Sequence, residues 1–187
     1  MIRKELRLSG FGGQGIILAG LIVGKAAAIF DGQNATFTQA YGPEARGGSC
    51  SAQLVITDEE AAYPYVTNPS VVVAMSQEAY TKYAAQAGDD VRVIIDDGLV
   101  KPEKSQLDRI LTVPATQIAQ ELGRSAVANI VMLGFLAAVT DLTSVEAMKK
   151  SVLDSVPKGT EELNTNAFER GYNHGKEQLT IGGIKAQ

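Results

Sequence analysis

Residues 5–23 read ELRLSGFGGQGIILAGLIV, in which a short β-prone run leads through a glycine-rich turn into an apolar helical segment. The run Glu5–Ser9 predicts a strand, and the residues from about Gln14 to Phe30 predict a helix. Between them, Gly10–Gly15 matches the pattern G-x-G-x-x-G. Glycines in this position permit a tight turn and a close approach of helix and strand, and the free N–H groups at the helix start attract an anion. The stretch therefore predicts the first unit of an α/β fold.

The glycine pattern leaves more than one function open. A dinucleotide site also requires an Asp or Glu about 20 residues beyond the turn, at the end of the second strand. No acid occurs around Phe37–Gln39, and Asp31 precedes the predicted strand. The residues therefore fit a site for one phosphate-bearing group, or a subunit contact, better than an NAD site. The alternative is a turn that uses glycine only for packing.

Short β-prone runs alternate with helical patterns along the rest of the chain, which is typical of helices packed on a mainly parallel sheet. We therefore predict an α/β fold, a three-layer Rossmann-like sandwich with a mainly parallel sheet flanked by helices. No linker or internal repeat divides the sequence, so we expect one domain over residues 1–179 and a C-terminal tail over residues 180–187. The predicted strands are Glu5–Ser9, Ala35–Thr38, Ser51–Thr57, Ser70–Met75, Val91–Asp96 and Arg109–Thr112.

The helical segments differ in their apolar patterns. The first helix is apolar nearly all round, so we expect it to be buried in the centre of the fold. Later helices are amphipathic, one beginning near Ser76 and another at Pro114. Thr143 and Glu146 have the spacing of a capping box and predict the start of a further helix. A more polar helix over about residues 160–172 closes the fold.

Composition excludes several classes of function. The 187 residues include 17 Lys and Arg against 21 Asp and Glu, so there is no surplus positive charge for a nucleic acid partner. One Cys and one His cannot build a disulfide, a Cys-ligated iron–sulfur cluster or a zinc site within this chain, and we expect no metal site here. The longest apolar candidate, 126–139, falls short of the roughly 18 residues of a membrane span. Glycines interrupt the apolar stretch near the N-terminus, which disfavours a signal peptide, so we expect a soluble cytoplasmic protein.

The segment Tyr41–Ser49 is the most unusual in the chain. It combines a Gly-Pro turn, a Glu and an Arg two residues apart, and the pair Gly47 and Gly48, which can adopt positive φ angles. Loops held by a rigid sheet are where binding residues concentrate. The alternative is a surface turn with a solvated ion pair of little energetic value.

Two segments together resemble the gamma subunit of the 2-oxoacid:ferredoxin oxidoreductases. They are Phe11–Gly20, which reads FGGQGIILAG, and Tyr41–Gly48, which reads YGPEARGG. The resemblance extends to Asn129–Gly134 and Leu163–Tyr172, so it covers nearly the whole chain. The long form of the loop, in a short acidic chain, is most similar to the gamma subunits of 2-oxoglutarate enzymes.

The resemblance implies a subunit of an enzyme that oxidatively decarboxylates a 2-oxoacid to acyl-CoA and passes the electrons to ferredoxin. Such enzymes use thiamine diphosphate, iron–sulfur clusters and coenzyme A. This sequence lacks a thiamine-binding Gly-Asp-Gly segment, and its lone Cys50 cannot ligate a cluster. The resemblance therefore implies that the catalytic centres lie on alpha and beta subunits, with a ferredoxin-like delta subunit as a further possible partner, and that this chain carries no catalytic residue.

We expect the two glycine-rich loops to lie together at the carboxyl edge of the sheet, where they would shape the approach of coenzyme A or hold a subunit contact. Arg46 would offer its guanidinium to a phosphate or carboxylate, with Glu44 orienting it. Two other hypotheses for the function remain: a nucleotide-binding domain of a different oxidoreductase, and a non-catalytic interaction subunit. The candidate ligand or interface residues are Gly10, Gly12, Gly13, Gln14, Gly15, Tyr41, Glu44, Arg46, Gly47, Gly48 and Asn129.

Two further pairs of residues are interpreted as structural. Cys50 and His174 lie far apart in the sequence, so a buried thiol is expected in place of a catalytic Cys/His pair. Asp96 and Asp97 follow a predicted strand, where they could line a crevice, although a strand-ending turn is the favoured interpretation.

Overall fold

A computed structural model describes residues 2–43, 47–59 and 63–182 of the chain. Each of the six predicted strands is present, with ends that differ by at most three residues from the predicted ones. The six strands form a single sheet. They are β1 (Arg3–Phe11), β2 (Asn34–Tyr41), β3 (Ser49–Thr57), β4 (Val71–Ala74), β5 (Arg92–Asp96) and β6 (Ile110–Val113).

The strand order across the sheet is β2-β3-β1-β4-β5-β6. The pairs β1–β4, β4–β5 and β5–β6 are parallel, whereas β1–β3 and β2–β3 are antiparallel. The sheet is therefore mixed, with a parallel half that follows the predicted pattern and an antiparallel half that the sequence did not indicate. The predicted α/β sandwich is confirmed.

Helices cover both faces of the sheet and complete the three layers. The larger core joins Leu6, Leu8 and their neighbours in the sheet to five helices, which begin at Ile16, Ala115, Ala128, Val145 and Glu161. A smaller core on the opposite face joins Val72 and Ile95 to Tyr80. The helices are α1 (Ile16–Lys25, continued by a π-helical turn Ala26–Phe30), α2 (Gln77–Ala79, continued by a π-helical turn Tyr80–Ala84), α3 (Ala115–Glu121), α4 (Ala128–Val139), α5 (Val145–Ser155) and α6 (Glu161–Gly182), with 3₁₀ turns at Lys104–Arg109 and Ser125–Val127.

The central buried helix is α4, and the prediction that the first helix would fill this place is wrong. All twelve residues of α4 are buried. Helix α1 lies flat on the sheet and buries one face, through Ile16, Ile22 and Val23 among others. Its opposite face leaves Leu21 48% exposed and Ile29, in the π-helical turn, 69% exposed. An all-round apolar pattern thus has different causes in the two helices, full burial in α4 and an apolar outer face in α1.

Helices α4 and α6 cross at backbone contact. A Cβ atom added at Gly134 would lie 2.0 Å from the carbonyl oxygen of Phe168, and one added at Gly171 would lie 1.9 Å from that of Val131. Any side chain at either position would therefore push the helices apart. Helix α6 continues through Gly182, well beyond its predicted end near residue 172 and into the segment predicted as a tail; residues 183–187 lie outside the described residues.

The start of α5 differs by one residue from its prediction. Ser144 is the N-cap, and its hydroxyl accepts a hydrogen bond from the Ala147 N–H at 3.1 Å. The hydroxyl of Thr143, which was predicted to cap the helix, is buried and has no hydrogen-bond partner among the described residues. The capping-box spacing favoured Thr143, because Ser144 has Ala147, and neither Glu nor Gln, three residues later. Ser144 is held in place as the cap because its own N–H and hydroxyl both donate to Asp31 at 2.7 Å.

The carboxylate of Glu5 fixes the segment that leads into β4. Glu5 is 3% exposed, and its Oε2 accepts hydrogen bonds from the N–H groups of Thr67 and Asn68, both at 2.7 Å. Its Oε1 pairs with the Arg3 Nε at 2.7 Å. Burial alone would raise the pKa of Glu5, but the bonds from Arg3, Asn68 and Thr67 outweigh it, so the pKa lies below its usual value.

None of the helices that the structure describes has the length and apolar character required to cross a membrane.

Candidate functional site

The glycine-rich turn links the end of β1 to the start of α1. Gly13 and Gly15 have φ angles of 98° and 73°, in the left-handed region that side chains rarely adopt. Gly15 is the N-cap of α1 and supplies no side-chain cap. The first turn of α1 therefore begins on backbone geometry alone, which only glycine provides at low cost.

Gln14 acts as a strut inside this turn. Its side-chain Oε1 accepts a hydrogen bond from the Phe11 N–H at 2.7 Å, and its Nε2 donates to the carbonyl of Met75 at 2.7 Å. Met75 directly follows β4, so one side chain ties the turn to the neighbouring parallel strand. A Cβ at Gly10 would lie 2.3 Å from the Gln14 Oε1, which explains why Gly10 has no side chain. Gln14 positions the turn and has both ends of its amide engaged.

Asn129 holds the turn from the side of α4. It is 3% exposed, and its Nδ2 donates to the Gly15 carbonyl at 3.2 Å. A Cβ at Gly15 would approach this Nδ2 to 2.3 Å. The predicted site residue Asn129 therefore meets the glycine turn although 114 residues separate it from Gly15.

The two glycine-rich segments lie together, as expected from the sequence. The Gly12 N–H donates to the Gly48 carbonyl at 2.9 Å, and the Gly42 N–H donates to the Ser49 carbonyl at 2.6 Å. Gly47 has a φ angle of 68°. This junction lies at the carboxyl ends of β1 and β2, because β3 runs antiparallel between them and starts there.

The predicted residues of the second loop are only partly within the structure. Tyr41 ends β2 and is 66% exposed, with its hydroxyl donating to the Gln39 Oε1 at 3.2 Å. Glu44 and Arg46 lie outside the described residues, so their predicted roles remain predictions. The structure thus brings together Gly10, Gly12, Gly13, Gln14, Gly15, Tyr41, Gly47, Gly48 and Asn129.

A shallow cleft with about 60 Å³ of free volume opens beside the junction. The sheet contributes Gly10, Ala40 and Ser51, and the opposite wall is formed by Glu78, Lys82 and Tyr83 of the α2 region. The sequence predicted an amphipathic helix that begins near Ser76, but it did not mark Glu78, Lys82 or Tyr83 as site residues. Only the crossover from β4 brings this wall to the end of β1, and no local pattern encodes that proximity.

The structure separates Cys50 from His174. Cys50 is 7% exposed on β3, and burial raises the pKa of its thiol. His174 packs on Phe135 and lies 3.2 Å from Gln178, which donates to the Thr112 carbonyl of β6. Four strand spacings, or about 19 Å, lie between β3 and β6. Cys50 and His174 therefore do not form a catalytic pair.

Asp96 serves the turn that ends β5. It is fully buried, and its carboxylate accepts hydrogen bonds from the Gly98 N–H at 3.1 Å, the Thr116 N–H at 2.9 Å and the Thr116 hydroxyl at 2.6 Å. These partners satisfy the carboxylate within the protein. The strand-ending turn is therefore the better description of this segment. For the neighbouring Asp97, burial and the charge of Asp96 raise the pKa.

The sheet order explains the missing ribose-binding acid. In the dinucleotide motif the strand after the first helix lies next to the first strand, so the acid at its end reaches the ligand. Here β3 lies between β1 and β2. The end of β2 is therefore two strand spacings, or about 10 Å, from the end of β1. The glycine turn has the local form of a nucleotide-binding turn without that motif's second strand.

Comparison with known proteins gives consistent results. The sequence profile of the pyruvate ferredoxin/flavodoxin oxidoreductase family matches residues 5–174. The 2-oxoglutarate synthase subunit KorC of Methanocaldococcus jannaschii is 50% identical over 179 residues, which cover 94% of this chain and 96% of that protein.

Two solved structures are also similar. The gamma subunit of a keto/oxoacid ferredoxin oxidoreductase from Geobacter sulfurreducens has a TM-score of 0.81 at 37% identity and covers 94% of this chain and 97% of its own. A 2-oxoglutarate:ferredoxin oxidoreductase from Magnetococcus marinus, solved with 2-oxoglutarate, coenzyme A and succinyl-CoA bound, has a TM-score of 0.84 at 22% identity. The likeness covers 95% of this chain and 32% of that one, and it concerns the fold.

Proposed function

This chain belongs to the pyruvate ferredoxin/flavodoxin oxidoreductase family, and we propose that it is the gamma subunit of a 2-oxoglutarate:ferredoxin oxidoreductase. The complex decarboxylates the 2-oxoacid oxidatively to an acyl-CoA and CO2, and it passes the electrons to ferredoxin. One observation carries this proposal: the chain matches a 2-oxoglutarate synthase subunit at 50% identity over 94% of its length. It therefore acts within a multi-subunit oxidoreductase.

The redox chemistry belongs to partner subunits. A four-iron cluster requires four thiolates, and this chain has one Cys, which is buried in β3. The residues present therefore do not fit an iron–sulfur cluster. Thiamine diphosphate and the clusters are assigned to alpha and beta subunits, with a ferredoxin-like delta subunit as a further partner. The contribution of this chain is to position and bind.

The junction of the two glycine-rich loops is the part of this chain assigned to coenzyme A or to a subunit contact. Gln14 and Asn129 stiffen the turn from two sides, and the bond from Gly12 to Gly48 holds the second loop against it. Glycines leave the backbone of Gly12 and Gly47 accessible to a ligand or a neighbouring chain. Arg46, within the second loop, supplies the planar cation for a phosphate or carboxylate.

Affinity capture of this chain from its native host under anaerobic conditions tests the assignment. We expect thiamine-binding and iron–sulfur subunits to co-purify, and the captured complex to reduce a dye only when both a 2-oxoacid and coenzyme A are present. Among several 2-oxoacids, 2-oxoglutarate should give the highest rate. A chain that elutes alone and without activity would contradict the proposal.

The loop assignment has its own test in the assembled complex. We expect Arg46→Ala to raise the KM for coenzyme A about tenfold or more, or to weaken assembly, because a charge-assisted bond is lost. Arg46→Lys should retain part of the coenzyme A binding or assembly that Arg46→Ala loses. Arg124→Ala, which removes an exposed guanidinium elsewhere, is the control. If Arg46→Ala leaves both assembly and the coenzyme A dependence unchanged, the role of the loop is wrong.

A further inference from the structure

Two cations share one aromatic ring beside the cleft. The guanidinium carbon of Arg7 lies 4.7 Å from the centre of the Tyr83 ring, and the Lys82 Nζ lies 5.0 Å from it. Arg7 is on β1 and half-buried, whereas Lys82 is exposed on the α2 region. Two positive charges held on one ring repel each other, and an anion between them would offset that repulsion.

These charges lack an acidic partner among residues 2–43, 47–59 and 63–182. All ion pairs within 4.0 Å in that part of the chain involve other cations. Within the part of the chain that the structure describes, Arg7 makes one side-chain hydrogen bond, from Nη2 to the Gln53 Oε1 at 3.2 Å, and its buried Nε has no partner. A guanidinium carries five N–H donors, so most of its capacity is unused. Buried donors without partners are rare in folded proteins and require an explanation.

The position of the cations is next to the cleft. Lys82 and Tyr83 line it directly. Ser9 pairs with Ser51, and Ser51 pairs with Ala40, so this row of small side chains lies one step beyond Arg7 on the same face of the sheet. Two residues along a strand correspond to about 7 Å, which an arginine side chain can span. Two members of this row, Ala40 and Ser51, line the cleft opposite Lys82.

We propose that Arg7 and Lys82 form a subsite for a phosphate group, held over Tyr83 at the edge of the cleft. Arginine binds a phosphate through its planar fork and lysine through its compact charge. Glu78 also lines the cleft, one helical turn before Lys82, and its carboxylate would repel an anion bound there. The phosphate belongs either to a nucleotide such as coenzyme A or to free inorganic phosphate. The choice of coenzyme A rests on the proposed function.

Titration calorimetry on the full chain with inorganic pyrophosphate tests the subsite directly. Measurements at an ionic strength of about 0.02 M limit screening of the charges. We expect Lys82→Met to weaken binding about fivefold to tenfold, since one charge-assisted contact is lost. Glu78→Gln should strengthen binding about two- to threefold, because it removes the opposing charge. Lys176→Met removes an exposed lysine of α6 and should leave the affinity unchanged.

Arg7→Lys is a second variant that keeps the charge but loses the fork, and we expect it to weaken binding about threefold or more. Thermal unfolding of each variant identifies any that is misfolded. The subsite is wrong if pyrophosphate does not bind saturably, or if Lys82→Met and Lys176→Met have equal effects.

Coenzyme A, titrated in parallel, distinguishes the two sources. If coenzyme A binds more tightly than pyrophosphate and Lys82→Met weakens both, the phosphate is that of the nucleotide. If coenzyme A binds no better than pyrophosphate, the subsite holds free phosphate. Since these titrations need no partner subunit, an affinity capture that finds no partners would refute the proposed function and leave the subsite standing.

Discussion

The contact between α4 and α6 predicts that one added methyl group will greatly lower the free energy of unfolding. In Gly171→Ala, the new Cβ would lie 1.9 Å from the Val131 carbonyl oxygen and 3.1 Å from the Phe135 N. Both are backbone atoms of a fully buried helix, so they cannot yield by changing a rotamer. The helices must separate by about 1 Å or more, which places the cost at or above the upper end of the roughly 1–3 kcal/mol for overpacking.

Helix propensity offsets part of this cost. Alanine is favoured over glycine inside a helix by about 1 kcal/mol. The net loss in the free energy of unfolding is therefore about 2 kcal/mol or more, which corresponds to a fall in the melting temperature of about 4–8 °C for a chain of this size. Urea unfolding followed by far-ultraviolet circular dichroism measures the first quantity, and thermal unfolding measures the second.

Gly24→Ala in α1 is the matched control. It has the same gain in helix propensity, but its Cβ would meet only the Cδ2 of Leu54, at 3.2 Å. The end of a leucine side chain can move by the few tenths of an ångström required, so we expect a change between zero and about 1 kcal/mol of stabilisation. If Gly171→Ala is as stable as Gly24→Ala, the helices do not cross at backbone contact and the described packing of α6 is wrong.

Three further predictions concern single side chains. Glu5 has a lowered pKa in the folded state, so its stabilisation is present above the pKa of the unfolded chain and is lost as the pH falls through the folded value. Glu5→Gln should therefore lower the urea midpoint at pH 7, with a difference from wild type that shrinks below about pH 4; a difference that does not vary with pH would contradict this. Gln14→Glu replaces the donor to the Met75 carbonyl by an oxygen and should cost about 1–3 kcal/mol in urea unfolding, whereas equal stability would show that the strut is unimportant. Cys50 is buried with a raised thiol pKa, so alkylation of the native chain at pH 8 should be about tenfold or more slower than that of the urea-unfolded chain, and equal rates would place the thiol at the surface.

Local patterns predicted the secondary structure well. Each strand contains a β-prone run bounded by turn residues, and these signals lie within a few neighbouring residues. The capping serine of α2 shows the same rule, since Ser76 accepts a hydrogen bond from the Ala79 N–H at 3.1 Å. The resemblance of two short loops to a known family also proved sufficient, and the family profile over residues 5–174 confirms it.

Long-range arrangement was less accessible to the sequence. The insertion of β3 between β1 and β2 depends on which edges pair, and nothing in the run Ser51–Thr57 specifies its neighbours. The burial of α4 in place of α1 has the same origin, because an apolar helix surface is compatible with a core or with an outer face. The glycines of α6 are consistent with a polar helix until their contact with α4 is known.

The sequence likewise predicted some residues of the candidate site and missed others. The sequence predicted that the glycine turn and its partner loop lie together, and in the structure the pairing of β1 with β3 brings them into contact. Lys82 and Glu78 were missed because a crossover from β4 brings them to the cleft. The strut role of Gln14 was also missed, because only the structure shows that its amide reaches Met75.

Reconstitution of the complex with and without this chain tests its central assignment most directly. The partner subunits would be purified anaerobically, and ferredoxin reduction would be measured with 2-oxoglutarate or pyruvate in the presence and absence of coenzyme A. We predict coenzyme A-dependent turnover that is fastest with 2-oxoglutarate and that is lost when this chain is omitted. Full turnover without the chain, or a clear preference for pyruvate when it is present, would contradict the assignment.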